Sequence, residues 1–165
     1  MSTASRLITY EDSFLLPEDK CEEIVRGELR QMPPSGLRPA RLIARLATLL
    51  RAQLPADRFE VLDSAFGQVI RREPFTYRIP DLGVYRRDQL TDDHYIWAVP
   101  ELLVEVISPA NRKDDREDRI RDYQELGVPE VWLIEIDQRQ VISRGPTSNL
   151  LASFAPLLET IWDAS

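Results

Sequence analysis

Two acidic residues stand where the surrounding pattern calls for apolar side chains. Asp81 follows Pro80 in Ile-Pro-Asp-Leu-Gly-Val-Tyr (79–85), and Glu105 interrupts Leu-Leu-Val-Glu-Val-Ile (102–107). Strand side chains alternate, so Leu103, Glu105 and Ile107 share one face and Leu102, Val104 and Val106 the other. A run this apolar is typical of a strand covered on both sides, which would bury Glu105. A buried carboxylate is costly unless it is paired, hydrogen-bonded or bound to metal. Two carboxylates on neighbouring strands repel each other, and a divalent cation relieves that repulsion. Mg²⁺ suits one or two carboxylates, with water and substrate phosphate completing its shell. Asp81 and Glu105 are therefore either a hard-metal site or structural acids paired with arginine, of which the chain has many.

The elements that would position these acids follow from periodicity. Pro17 and the acids after it predict a short helix over 17–26, ended by Gly27, then a strand over 28–32. Leu42, Ile43, Leu46, Leu49 and Leu50 have helical spacing and predict a helix from Pro39 to about Gln53. Residues 59–73 read as strand, turn, strand. Residues 76–85 read as one strand with Pro80 at an edge or bulge. Residues 101–107 and 130–136 read as buried strands, and 140–145 as a further strand. A helix is expected over 115–126, with Asp114 as N-cap and Gly127 as stop. This order predicts one α/β domain over 17–146, a mixed central sheet flanked by helices. Residues 1–16 form a lead-in, and 147–165 a tail that packs on the domain or on a second subunit.

Composition narrows the function classes. The chain has 165 residues, 43% hydrophobic and 30% charged, enough for one cored domain without staples. One cysteine, Cys21, and one histidine, His94, exclude a disulfide framework and an all-Cys/His zinc site. Six glycines and no glycine-rich phosphate loop argue against a nucleotide site of that kind. No apolar run approaches a membrane span, and the N-terminal residues lack a secretory apolar core, so the expected address is the cytoplasm. The net charge of -7 argues against coating nucleic acid by bulk attraction. Residues 38–87 nevertheless hold ten arginines against five acids. Among them, Arg41 and Arg45 on the polar face of the first long helix, with Arg38 just before it, are candidate phosphate contacts.

The strings IPDLGVY, PELLVEVISPANRKDD and REDRIRDYQELGVPEVWLIEID, preceded by EEIVRGELRQMPPSG, resemble the bacterial family of putative restriction endonucleases in the PD-(D/E)XK phosphodiesterase superfamily. The resemblance covers about residues 18–144. It implies a restriction-endonuclease-like α/β fold and Mg²⁺- or Mn²⁺-dependent hydrolysis of DNA phosphodiester bonds. It also implies nucleic acid as partner and paired subunits, a homodimer, for cutting both strands. Asp81 matches the aspartate of the PD motif and Glu105 the acid of the (D/E)XK motif. Both would ligate metal, together with the backbone carbonyl of Val106. The motif lysine would fall at Ile107. The family commonly displaces it to the position four residues before Tyr123, which here is Arg119. Arginine can hold charge near a phosphate but cannot accept a proton. Lys113 is a possible substitute, and Glu28 resembles a recurring family acid near the site. Pro39 stands where family members often carry histidine. The alternative is a catalytically degraded member that keeps the fold as a nucleic-acid-binding or oligomerisation module.

Overall fold

The structure, a computed structural model, describes residues 6–17, 22–32, 34–63, 66–91, 94–107, 113–145 and 150–162. Of residues 113, 114 and 150–152 it describes the backbone alone. Cys21 and the residues around it at 18–20 lie outside the described residues.

Strands β1 (Glu22–Val25) and β2 (Glu28–Gln31) form a hairpin, with Val25 paired to Glu28. The two loop residues, Arg26 and Gly27, have φ of 53° and 80°. Two positive φ values define the type I′ turn, whose twist matches that of the flanking strands. This corrects the helix expected over 17–26, because Gly27 is a hairpin residue and not a helix stop. Of the acids in that segment, Glu22 and Glu23 alternate across β1, which buries Glu23 and Val25 on one face; Glu18 and Asp19 lie outside the described residues.

The expected mixed sheet is divided in two. Residues β2, β1, β5 (Thr76–Arg78) and β4 (Gln68–Arg71) form an antiparallel sheet in that order. The second sheet runs β3 (Phe59–Leu62), β6 (Leu82–Arg86), β7 (Leu102–Ile107), β8 (Val131–Glu135) and β9 (Gln140–Arg144). The single strand expected over 76–85 is two strands. Pro80 cannot donate to a ladder, and the chain crosses from one sheet to the other at Ile79–Asp81. The segment 59–73 holds the two strands expected, β3 and β4, but they enter different sheets: β3 pairs with β6, and β4 with β5.

Helices packed on the sheets complete the fold. Helix α1 (Tyr10–Ser13) is capped by Thr9. Helix α2 (Leu37–Gln53) lays Leu42, Ile43, Leu46, Ala47 and Leu50 on the face of the second sheet built from Leu82, Val84, Leu102, Val104, Val106, Trp132 and Ile134. Leu46 and Leu50 are fully buried, each contributing roughly 1.5–3 kcal/mol. Helix α3 (Lys113–Leu126) makes the crossover between the parallel strands β7 and β8. It starts two residues earlier than expected, so Asp114 lies within the helix and is not its N-cap. Its Ile120, Tyr123 and Leu126 pack on Leu103, Val131 and Leu133, and also on Ile70 of β4. α3 is thus held against both sheets. Helix α4 (Leu150–Leu158) and the turn after it bring Phe154, Leu158 and Ile161 to the α2 core. Among the described residues, no helix is long and apolar enough to cross a membrane.

Candidate active site

The β6–β7 ladder places the two unusual acids. Leu82 pairs with Val104 and Gly83 with Leu103, so the residue opposite Glu105 is Asp81. Opposed residues of an antiparallel pair project to the same side. That side carries Leu103 and lies under α3. The backbone N–H of Val106 donates to Asp81 Oδ2 at 2.7 Å, which ties the end of one strand to the other.

Helix α3 supplies the partners of Glu105. Arg119 and Tyr123 are four residues apart and share a helix face. The Tyr123 hydroxyl donates to Glu105 Oε1, and Arg119 Nη1 donates to the same oxygen at 3.3 Å. Arg119 also grips Glu23 of β1 with both terminal nitrogens, at 2.8 and 3.1 Å. Glu23 Oε2 accepts from Arg78 Nη1 at 3.1 Å, and Arg78 donates to Asp122 Oδ2 at 2.6 and 2.9 Å. Arg71 reaches the other oxygen of Asp122 at 2.8 Å. At the rim, Arg30 Nη1 donates to Asp115 at 3.3 Å, and Asp115 lies 3.9 Å from Arg119. Buried charges survive only when paired in this way. Arg78 and Asp122 are fully buried, and Arg119 and Glu23 nearly so.

Burial pushes the Glu105 carboxyl up to about 8; the Arg119 charge opposes the shift, and Asp81 and Glu23 add to it. Burial also raises the Asp81 carboxyl, against the Val106 N–H that favours its charged form. Burial disfavours the Arg119 charge, but Glu105, Tyr123 and Glu23 more than offset this and hold its pKa well above the ordinary value.

Two carboxylates whose proton affinity is raised by burial, one of them also by the other's charge, are an arrangement that a divalent cation stabilises. Among the described residues, Asp81 Oδ1 and Glu105 Oε2 accept no hydrogen bond. Among the same residues there is no metal-binding group of three or more His, Cys, Asp or Glu. The donor set is therefore two carboxylates plus backbone. The N–H and C=O of a strand residue point to the same edge, so the Val106 carbonyl lies on the Asp81 side. This all-oxygen set fits Mg²⁺.

The other candidates fall elsewhere. Arg119 reaches the site but is engaged by Glu23 and Glu105. The side chain of Lys113 lies outside the described residues. Glu28 is exposed on β2. Arg38, Arg41 and Arg45 lie on α2, on the opposite face of the second sheet. Arg38 pairs with Asp137 at 3.2 Å, and Arg45 donates to the carbonyl of Ile161 at 3.3 Å. The structure does not bring these three to the carboxylates. His94 is exposed, and Trp132 is buried and donates to Glu130 at 2.7 Å. The residue that sequence reasoning passed over is Glu23. Its signal was alternation: Glu-Glu-Ile-Val read as a strand places one acid among buried residues.

Two sheets flanked by helices, with paired acids at the strand ends, define a restriction-endonuclease-like α/β fold. The chain belongs to the Uma2 family, described as putative restriction endonuclease, whose model matches residues 9–147. In three dimensions it is similar to a putative nuclease belonging to DUF820 from Anabaena variabilis ATCC 29413. The TM-score is 0.71 at 16% identity, covering 94% of this chain and 97% of that one. At that identity the likeness concerns the fold. No protein of curated function shows significant sequence similarity.

Proposed function

We propose that the protein is a metal-dependent nuclease that hydrolyses DNA phosphodiester bonds at Asp81 and Glu105. The observation that carries this reading is the juxtaposition of the two acids, opposed across the β6–β7 ladder and tied by the Val106 N–H. Asp81, Glu105 and the Val106 carbonyl would hold Mg²⁺ or Mn²⁺. When bound, the cation would lower the pKa of a water and neutralise charge on the phosphate. The protein's own groups set the rest. Val106 fixes Asp81 Oδ2, leaving Oδ1 for the ion. Tyr123 and Arg119 fix Glu105 Oε1, leaving Oε2. Burial raises the proton affinity of Glu105, so cation binding there competes with a proton. Arg119 cannot take a proton from water, so its part is to hold Glu105 and place positive charge beside it. Arg30, the most exposed arginine of this network, supplies the contact to a neighbouring phosphate; its pair with Asp115 is partly exposed and therefore weak.

The test is nicking of supercoiled plasmid in Mg²⁺ or Mn²⁺ beside an Asp81→Ala control. Metal-dependent nicking that disappears in the variant supports the reading, and equal behaviour of the two proteins ends it. A second reading, a degraded nuclease serving as a nucleic-acid-binding module, is favoured by one observation. Arg119 stands where the family carries lysine, and its guanidinium is spent on Glu23. Salt-sensitive DNA binding without cleavage, together with cleavage gained by Arg119→Lys, would select that reading.

A further inference from the structure

One buried carboxylate touches both halves of the candidate site. Glu23 Oε1 accepts the backbone N–H of Ile79 at 2.7 Å, two residues before Asp81. The same carboxylate holds both terminal nitrogens of Arg119, whose Nη1 reaches Glu105 at 3.3 Å. Glu23 is 1% exposed and cannot meet substrate. Arg78, itself fully buried, closes on its other oxygen and fixes its orientation. Ile79 begins the segment that crosses between the sheets at Pro80, and the β6–β7 ladder pairs begin only at Leu82. The Glu23–Ile79 bond and the Val106–Asp81 bond therefore fix Asp81 against β7, together with a longer bond from Arg119 Nη1 to the Ile79 carbonyl at 3.4 Å.

We propose that Glu23 is the positioning residue of the metal site. It clamps the Ile79–Asp81 crossover from one side. From the other, it draws the Arg119 guanidinium away from the carboxylate pair, so that Arg119 steadies one oxygen of Glu105 without neutralising both acids. This proposal rests on the metal-site reading above. Without the Glu23 charge, Arg119 has Glu105 as its nearest buried acid and turns fully onto it. The cation is then opposed by a fixed guanidinium in the space its ligands need. Groups that orient metal ligands typically account for 10–100-fold in affinity.

The experiment is Mn²⁺ binding by calorimetry to the metal-depleted full chain, comparing wild type, Asp81→Ala, Glu23→Gln and the double variant Glu23→Gln/Arg119→Gln. Circular dichroism melting identifies which variants are folded. Glu23→Gln is expected to bind Mn²⁺ at least tenfold more weakly than wild type. The double variant, relieved of the unopposed guanidinium, is expected to recover most of that loss. Recovery distinguishes positioning from a structural role, because a merely destabilised site would be weakened further by the second change. If Glu23→Gln misfolds, Glu23→Asp takes its place: the shorter side chain keeps the charge but cannot span Ile79 and Arg119 together, so weaker Mn²⁺ binding is expected, and wild-type affinity overturns the proposal. Wild-type affinity in folded Glu23→Gln overturns the proposal, as does a double variant weaker than the single. Equal binding by wild type and Asp81→Ala overturns the metal-site reading instead.

Discussion

Val106 donates its backbone N–H to Asp81 Oδ2 at 2.7 Å, joining the two acidic motifs through one hydrogen bond. The bond does for a crossover residue what a ladder does inside a strand. It leaves Asp81 with one oxygen fixed and one to spare, opposite a glutamate in the same condition.

Asp81→Asn keeps an acceptor for Val106 but removes the charge. The variant is expected to fold as wild type and to lose at least about 100-fold in plasmid nicking, the scale of removing one electrostatic stabiliser. Initial nicking rates in Mg²⁺, with melting temperatures alongside, check both halves.

The metal-free protein has a distinctive pH dependence. Glu105 titrates near 8 when folded, against an ordinary value of 4.5. The folded state therefore binds this proton more tightly than the unfolded chain does. The contribution is full below the ordinary value and fades as pH rises through 8. At about 1.4 kcal/mol per unit, the loss is on the order of a few kcal/mol. Urea midpoints in chelator should fall between mildly acidic and mildly alkaline pH. Glu105→Gln, which has no proton to lose, should flatten the curve. A wild-type curve already flat would refute the assignment.

Arg78 has no exposure and pairs with Glu23 and Asp122. Arg78→Met leaves Glu23 to Arg119 and Asp122 to Arg71, each buried acid losing one of its two cations. It is expected to cost roughly 3–5 kcal/mol, the cost of breaking a buried pair from one side. Denaturant titration at neutral pH measures it.

Arg30→Gln should leave stability within about 0.5 kcal/mol of wild type, since its pair with Asp115 is partly exposed. If Arg30 contacts phosphate, the slope of log binding constant against log salt should shrink by about one. An unchanged slope removes Arg30 from the interface.

Much of the frame was legible because local pattern and tertiary role agree. α2 carries an apolar period and β7 and β8 continuous apolar runs that their neighbours bury, while α3 was marked by its glycine stop; the two interrupting acids could be singled out against those runs. The division into two sheets was not legible. It depends on β5 and β6 choosing different partners either side of Pro80, and pairing between distant strands leaves no trace in local period. Glu23 was hidden for a related reason. Its polar neighbours outweigh the two apolar residues after it, so the segment reads as a helix start, and only pairing with β2 and β5 shows which side chain turns inward. The arginine candidates on α2 were chosen by charge and by the helix's polar face, and neither specifies which face of the sheet the helix covers.

The β6–β7 register carries a constraint on how this chain can vary. Slipping β7 by one residue would turn Glu105 toward α2 and present a valine to Arg119. Lengthening the connection at its exposed residues 87–89 need not move either acid, because their alignment is measured from the ladder and not along the chain. The rest of the connection is less free: Tyr95 is buried, Ile96 bonds to Gly67 and Val69, and Glu101 bonds to Val84, so insertions there, as within 102–107, disturb what positions the acids.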